Sequence, residues 1–285
     1  GDGTIGILKS VAPGHNMIFR GDDVKPGDRV LPAGRRLEPQ DIGALAALGM
    51  TSVPVVPRLR VGVISTGDEL VPPEQIPAIG QVRDVNGPLV CALLEQAGVL
   101  PRFYGIVPDQ EDCLTRTMEQ GLTECDAVIL SGGSSVGEKD AAYRVMSALG
   151  KILFHGIAMK PGKPTLLGRT GSGKAMVGLP GHPVAALFCT HLFVRAILAR
   201  LEGRNLRQRQ VTARLVEEVS ANHGRSQYNG AILRQGSQGL EALPIRGKSG
   251  LITALAGADG YFCIPRDCEG FPAGTQVLVN IFIAD

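Results

Sequence analysis

Tryptophan is absent, and aromatic residues of every kind make up only 4% of this 285-residue chain. Surfaces that hold single-stranded nucleic acid stack bases on aromatic rings, and few rings are available here. Neither charge sign dominates: 29 basic residues stand against 27 acidic ones, a net charge of +2. That leaves no broad basic field for DNA or RNA, so no nucleic-acid partner is expected. The six cysteines form no C-x-x-C pair, and Cys263 and Cys268 have no neighbouring Cys or His to complete a zinc site. Cys91, Cys125 and Cys189 lie in apolar runs and read as buried small hydrophobes, which suits a reducing compartment. The longest apolar run, Val184 to Leu201, is broken by His191, Arg195 and Arg200, and reads as too polar for a membrane span. No signal-peptide pattern opens the chain, so a cytoplasmic location without membrane association is expected.

What the chain has in quantity is hydrophobic residues (44%), glycine (38) and proline (19). These imply a substantial core joined by many tight turns. Residues 1–57 read as a partial β-rich lead-in, with a short strand at Val30-Leu31 and one helix from Ile42 to Leu48. Residues 58–204 alternate strand-length apolar runs (Val61–Ser65, Arg102–Val107, Asp126–Leu130, Ile152–Ile157, Ala175–Leu179) with helical patterns (Gly87–Ala97, Glu111–Leu122, Asp140–Leu149, His182–Leu201). Such alternation predicts an α/β fold, a mostly parallel sheet covered by helices on both faces. Residues 205–285 change to short strands separated by glycine turns, with one helical stretch at Leu251–Ala256. They read as a small β domain, closer to a barrel than a sandwich.

In a parallel sheet, ligands bind where the C-terminal ends of the strands meet their loops. Five loops there carry chemistry-bearing residues. Ser65-Thr-Gly-Asp-Glu69 ends in a carboxylate pair, able to bind Mg²⁺ or act as acid and base, or simply to cap a turn. Asp109 follows the second strand, where an N-cap role is the plainer reading. The third loop, Ser131-Gly-Gly-Ser-Ser-Val-Gly-Glu-Lys-Asp140, joins a buried strand to a helix. Its glycines allow close backbone approach, and a helix N-terminus beside it suits a phosphate. The acids at its end would repel that phosphate unless a cation sits between them. Lys160-Pro-Gly-Lys-Pro164 is a stiff turn with two cations, apt for an oxyanion. Gly178-Leu-Pro-Gly-His-Pro-Val184 runs into a helix, with His182 either donating to an anion or capping. Two short motifs are discounted. Gly168-Arg-Thr-Gly-Ser-Gly-Lys174 nearly fits the nucleotide phosphate loop, but Ala175 replaces the metal-holding Ser/Thr and a strand follows, so it reads as a hairpin turn. Arg20-Gly-Asp22 is too short to carry an adhesion function.

These loops, in this order, resemble the molybdopterin molybdenumtransferases, the bacterial MoeA family and the E domain of gephyrin. Asp84-Val-Asn86, Gly105-Ile-Val107, Arg20-Gly-Asp-Asp-Val24 and Leu31-Pro-Ala-Gly34 belong to the same resemblance. It implies a cytoplasmic homodimer with a three-layer αβα central domain and a C-terminal β domain. The implied reaction inserts molybdenum from molybdate into adenylylated molybdopterin and releases AMP, with Mg²⁺ assisting. By resemblance, Glu69, Asp109 and Asp140 would be the catalytic and metal-holding carboxylates. Ser131, Gly132, Gly133, Ser134 and Gly137 would hold ligand phosphate. Lys160 and Lys163 would bind molybdate or the terminal phosphate, and Pro180, Gly181, His182 and Pro183 would shape the pocket. Arg225 and Ser249 fall where the family has polar groups facing the site. The chain departs from the family at His182, usually Asn, at Gly87 and Asn229, each commonly Arg, and at Ser134, usually Val. Full-length members carry a further segment before the position where this chain starts, so a fragment or shortened relative is expected. Two other readings remain: a molybdopterin-binding module or scaffold without turnover, partnered with other cofactor-biosynthesis proteins, and the related molybdopterin adenylyltransferase. The flanking regions argue against the latter, which resembles the central domain alone.

Overall fold

A computed structural model describes residues 2–132, 141–204, 206 and 208–282. The chain forms two compact units, Gly1–Pro54 and Val55–Asp285. The first unit contains one helix, α1 (Pro39–Ala47), and no strand among its described residues. Proline at its first turn needs no hydrogen-bond partner there, and Asp41 closes a capping box by accepting the Glu38 N–H at 2.9 Å. Asp41 also takes both Arg35 nitrogens, at 2.7 and 2.9 Å. The strand expected at Val30-Leu31 does not form. This segment is a succession of turns, because prolines and glycines interrupt it before a ladder partner can be reached.

The second unit begins with β1 (Arg60–Thr66), a two-residue ribbon of β2 (Leu70–Val71) and β3 (Val82–Arg83), α2 (Asn86–Gln96) and β4 (Leu100–Val107). It continues with α3 (Glu111–Glu124), β5 (Ala127–Ser131), α4 (Ala141–Leu149), β6 (Gly150–His155), β7 (Met159–Lys160), β8 (Leu166–Thr170) and β9 (Ala175–Leu179). A long helix follows in three pieces: α5 (Pro183–Cys189), a π-helical turn (Thr190–Val194) and α6 (Arg195–Leu201). The last third holds β10 (Gln210–Leu215), β11 (Val219–Ser220), β12 (Ser226–Gly236), β13 (Gly239–Pro244), a 3₁₀ turn (Ile252–Leu255), β14 (Gly260–Ile264), β15 (Gly270–Phe271) and β16 (Gln276–Ile281).

The central sheet has the order β4-β1-β5-β9-β8-β6, with β4, β1, β5 and β9 parallel. Strand β8 runs antiparallel to both β9 and β6, which returns β6 to the direction of the rest. Alternation along the strands sends side chains to opposite faces, and the cores divide accordingly. Val61, Val63, Ile129 and Val177 pack against Val90 and Leu94 of α2 and Ala186, Phe188 and Leu198 of the long helix. Ile64, Val128, Leu130 and Met176 pack against Leu114 and Met118 of α3 and Val145 and Met146 of α4. These are the three layers that the strand–helix alternation predicts. Helix Pro183–Leu201 has a mean hydropathy of 1.7 and is long enough to cross a membrane by length and composition, contrary to the expectation from its polar residues. In this fold it lies in the core, with Ala185 to Cys189 buried.

The C-terminal strands close a five-stranded barrel, β13-β10-β16-β14-β12, sealed by pairing of β12 with β13. Its interior is filled by Leu215, Ala231, Phe262, Ile264 and Val279. The single strand expected over Val211–Val219 breaks into β10 and β11, and the helix expected at Leu251–Ala256 is one 3₁₀ turn. One element ties the sheet domain to the barrel. After leaving β6, the chain makes β7, which pairs with Ser226 and Gln227 at the start of β12.

Candidate functional site in the cleft between sheet and barrel

The strand registers place the predicted loops on one edge. Ser65 lies opposite Ser131, Ser131 opposite Leu179 and Thr66 opposite Val107, so β1, β4, β5 and β9 all end together. There the chain packs backbone against backbone. Gly132 has φ +105°, and a Cβ on it would lie 1.9 Å from the Thr66 carbonyl oxygen. Its N–H donates to the Leu179 carbonyl at 3.3 Å. The close approach that Gly132 permits is therefore to neighbouring strands, and its N–H is already engaged. Ser131 is buried, and its hydroxyl accepts a hydrogen bond from Asn86 Nδ2 at 2.8 Å. The same amide group donates to the Gly181 carbonyl at 2.9 Å. Asn86 thus links the end of β5 to the turn after β9. Asp84, also buried, fixes the start of α2 by accepting the Gly87 N–H at 3.0 Å. A Cβ at Gly87 would meet the Phe103 ring at 2.7 Å and Asp84 Oδ2 at 2.5 Å, so a larger residue there would have to displace both side chains.

Asp109 sits just past β4, and its N–H donates to Asp68 Oδ1 at 3.2 Å. Its carboxyl is held above the ordinary aspartate value, mainly by desolvation and then by the charges of Asp68 and Glu69, against the opposing Thr66 hydroxyl and Arg144. A carboxylate so placed holds a proton more readily than an exposed one. Lys160 and Lys163 are exposed on either side of a cis Lys160–Pro161 bond and a tight turn at Gly162. Gly162 has φ +119°, and a Cβ there would lie 2.8 Å from Cys189 Sγ. The turn is thereby seated directly on α5. The Cys189 thiol beneath it is pushed up to about 11 by burial and lies 3.0 Å from the Thr165 hydroxyl.

Asp109, Lys160, Lys163, Pro180, Gly181 and His182 all line one cavity of about 1480 Å³. Its other wall is the barrel, which contributes Arg225, Gln227, Tyr228, Asn229, Lys248 and Ser249 among others. Glu69, Ser131, Gly132 and Pro183 do not line it. Ser131 and Gly132 stand behind the Pro180-Gly181 turn, and Pro183 begins α5. Gly133, Ser134, Gly137 and Asp140 lie outside the described residues. The barrel's share of the wall was only partly legible. Arg225 and Ser249 were singled out, but Lys248 and Tyr228 were not. A cation-glycine cluster, Arg246-Gly-Lys-Ser-Gly250, was the available signal.

Three family descriptions match successive parts of the chain. "MoeA N-terminal region (domain I and II)" matches residues 1–49, "Probable molybdopterin binding domain" 62–200 and "MoeA C-terminal region (domain IV)" 212–282. A molybdopterin molybdenumtransferase of Haemophilus influenzae is 32% identical over 99% of this chain and 70% of its own length. The chain belongs to the molybdopterin molybdenumtransferase family. A crystal structure of the MoeA molybdopterin biosynthesis protein of Pyrococcus horikoshii aligns with TM-score 0.81 at 34% identity, over 92% of this chain and 64% of that one. A molybdenum cofactor biosynthesis protein of Pyrococcus furiosus aligns with TM-score 0.72 at 32% identity, over 92% and 82%. The chain thus spans roughly two-thirds of the length of several relatives, and 64% of the Pyrococcus horikoshii chain.

Membership in the molybdenumtransferases makes this an enzyme family of molybdenum cofactor biosynthesis whose central domain binds molybdopterin. The acids after β1 and β4 have the right chemistry for Mg²⁺, a hard ion that takes carboxylate oxygens and water. Asp68 and Glu69 both act on Asp109 as like charges, a repulsion that a cation would relieve. Among the described residues, no three His, Cys, Asp or Glu side chains gather closely enough to hold a metal by themselves.

Proposed function

We propose that this chain inserts molybdenum from molybdate into adenylylated molybdopterin and releases AMP, acting in the cytoplasm as a homodimer. The observation that carries this reading is the cavity itself, in which two exposed lysines and an aspartate whose carboxyl is held above its ordinary value share one wall in a member of this family. Lys160 and Lys163 are point charges on flexible stems, suited to hold an oxyanion such as molybdate or a terminal phosphate. Asp109 would serve the phosphoanhydride either as a metal ligand or as a proton acceptor, not as both at once. Glu69 and Asp109, with Asp140, would hold Mg²⁺, which supplies positive charge for developing phosphoryl oxyanions. The Pro180-Gly181 turn, anchored by Asn86, keeps the cavity wall fixed while substrate binds. A homodimer agrees with the apolar surface of the first unit, where Ile5, Leu8 and Ile18 are almost fully exposed.

The test is AMP release from adenylylated molybdopterin as a function of Mg²⁺ and molybdate. The reading expects release dependent on both, and loss of at least about 100-fold in Asp109→Asn, the scale of a general acid–base group. Lys160→Met and Lys163→Met should weaken molybdate dependence. Tight binding without any release would replace the enzyme reading with that of a binding module.

A further inference from the structure

One contact in the cavity wall joins the barrel to the start of α5 through the His182 side chain. His182 Nδ1 lies 2.7 Å from the Ser249 hydroxyl. The carbonyl of the same serine accepts the Val184 N–H at 3.1 Å. Ser249 therefore ties to the start of α5 at two points, and one free N–H of that helix is taken by protein and withheld from ligand. Ser249 lies at the tip of the connection between β13 and the 3₁₀ turn. The tip is a tight turn, with the Leu251 N–H donating to the Lys248 carbonyl at 2.9 Å. Gly247 and Gly250 flank Lys248 and Ser249, and a Cβ on Gly250 would meet nothing within 4 Å. Glycine on both sides leaves the tip restrained by its own turn bond, by the Arg246 donations to Glu217 Oε2 at 2.8 Å and the Glu218 carbonyl at 3.1 Å, and by the two ties to α5.

We propose that His182 is a positioning residue, a latch that holds the Arg246–Leu251 connection against α5 and so keeps Lys248 in the cavity wall. Asparagine can place an amide atom where Nδ1 stands, so the latch survives that substitution. The role in catalysis rests on the function proposed above; the latch itself does not.

Two measurements separate them. In the ligand-free chain, amide hydrogen exchange at Val184 and Leu251, whose N–H groups donate to the Ser249 and Lys248 carbonyls, reports the latch directly. His182→Ala should speed exchange there by about three- to tenfold, the effect of one modest hydrogen bond. Ser249→Ala should do the same, the double variant should add nothing further, and His182→Asn should restore slow exchange. A general loss of fold would accelerate exchange in β1 and β5 as well, and if His182→Ala shows this, Ser249→Ala serves alone. In AMP-release assays, His182→Ala should raise KM for molybdate more than it lowers kcat, and His182→Asn should recover it. Unchanged exchange in His182→Ala and Ser249→Ala, or His182→Asn behaving like His182→Ala, overturns the latch. A faster-exchanging tip in a chain that never releases AMP leaves the latch standing and removes the enzymatic reading.

Discussion

Single glycines decide how tightly the site's edge is built. Gly132 combines a left-handed backbone with a position 1.9 Å from the Thr66 carbonyl oxygen for any added Cβ. The two nearest atoms, the Thr66 carbonyl oxygen and carbon, are backbone, so neither can swing aside. Gly132→Ala should cost about 3 kcal/mol or more of stability, from strain and displacement together. Gly181→Ala is the matched control, since its Cβ would meet only the Gly132 Cα at 3.7 Å, an ordinary contact. It should stay within about 1 kcal/mol. Urea midpoints at unchanged m-value decide the matter, and equal midpoints for the two variants would show that the strand end relaxes freely. The sequence marked Gly132 as special but for a different reason, close approach to a ligand. Its real neighbour, Thr66, is 66 residues away in the chain and visible only once β1 and β5 pair. Lys160, Lys163 and Asp109, which line the cavity, stand out in the sequence because their chemistry is local: a rigid cationic turn and a carboxylate at a strand end.

Among elements, the long helix after β9 departs most from its sequence pattern. Periodicity predicts one continuous helix from His182 to Leu201. The chain inserts a π turn at Thr190–Val194, and His191 within it is buried against the Tyr261 and Phe282 rings. A π turn carries no compositional signature, so the pattern could not show it. Strand β8 was missed because its second half looks like part of a turn motif, although the hairpin itself was read correctly. Burial, and then the charge of Arg195, depress the His191 imidazole to about 4. Its pKa is therefore lower folded than unfolded. The unfolded chain takes up the proton first, so stability is complete above pH 6.5 and is lost as pH falls from there towards 4. The full loss would be about 3 kcal/mol. Replacing His191 with Gln, which cannot titrate, should flatten the stability–pH curve across that window relative to the parent. Parallel curves for the two proteins would mean that the imidazole stays exposed to protons in the folded chain.

At the scale of the whole second unit, the domains read from sequence share more than a linker. Phe188 of α5 packs on Tyr228, Tyr261 and Phe282, with ring centroids 5.4 to 6.3 Å apart. Phe188 and Tyr261 are almost completely buried, at 1% exposed each. Few aromatics exist in this chain, and a large share of them meet at this one junction. The change from helix–strand alternation to short strands marks where a border is expected from the pattern, but residues 55–285 pack as one compact unit. Aromatic contact of this kind couples the barrel to the sheet, because separating them exposes rings from both sides at once. Residues 55–285 should therefore unfold in one transition. With Tyr104 and Tyr143 replaced by Phe, near-ultraviolet circular dichroism reports the two junction tyrosines, Tyr228 and Tyr261, and far-ultraviolet dichroism reports the helices that only the sheet region has in number. The two signals should be lost at the same denaturant concentration. If the tyrosine signal disappears first while helix content persists, the barrel is an independent module and the cavity between them opens without unfolding its walls.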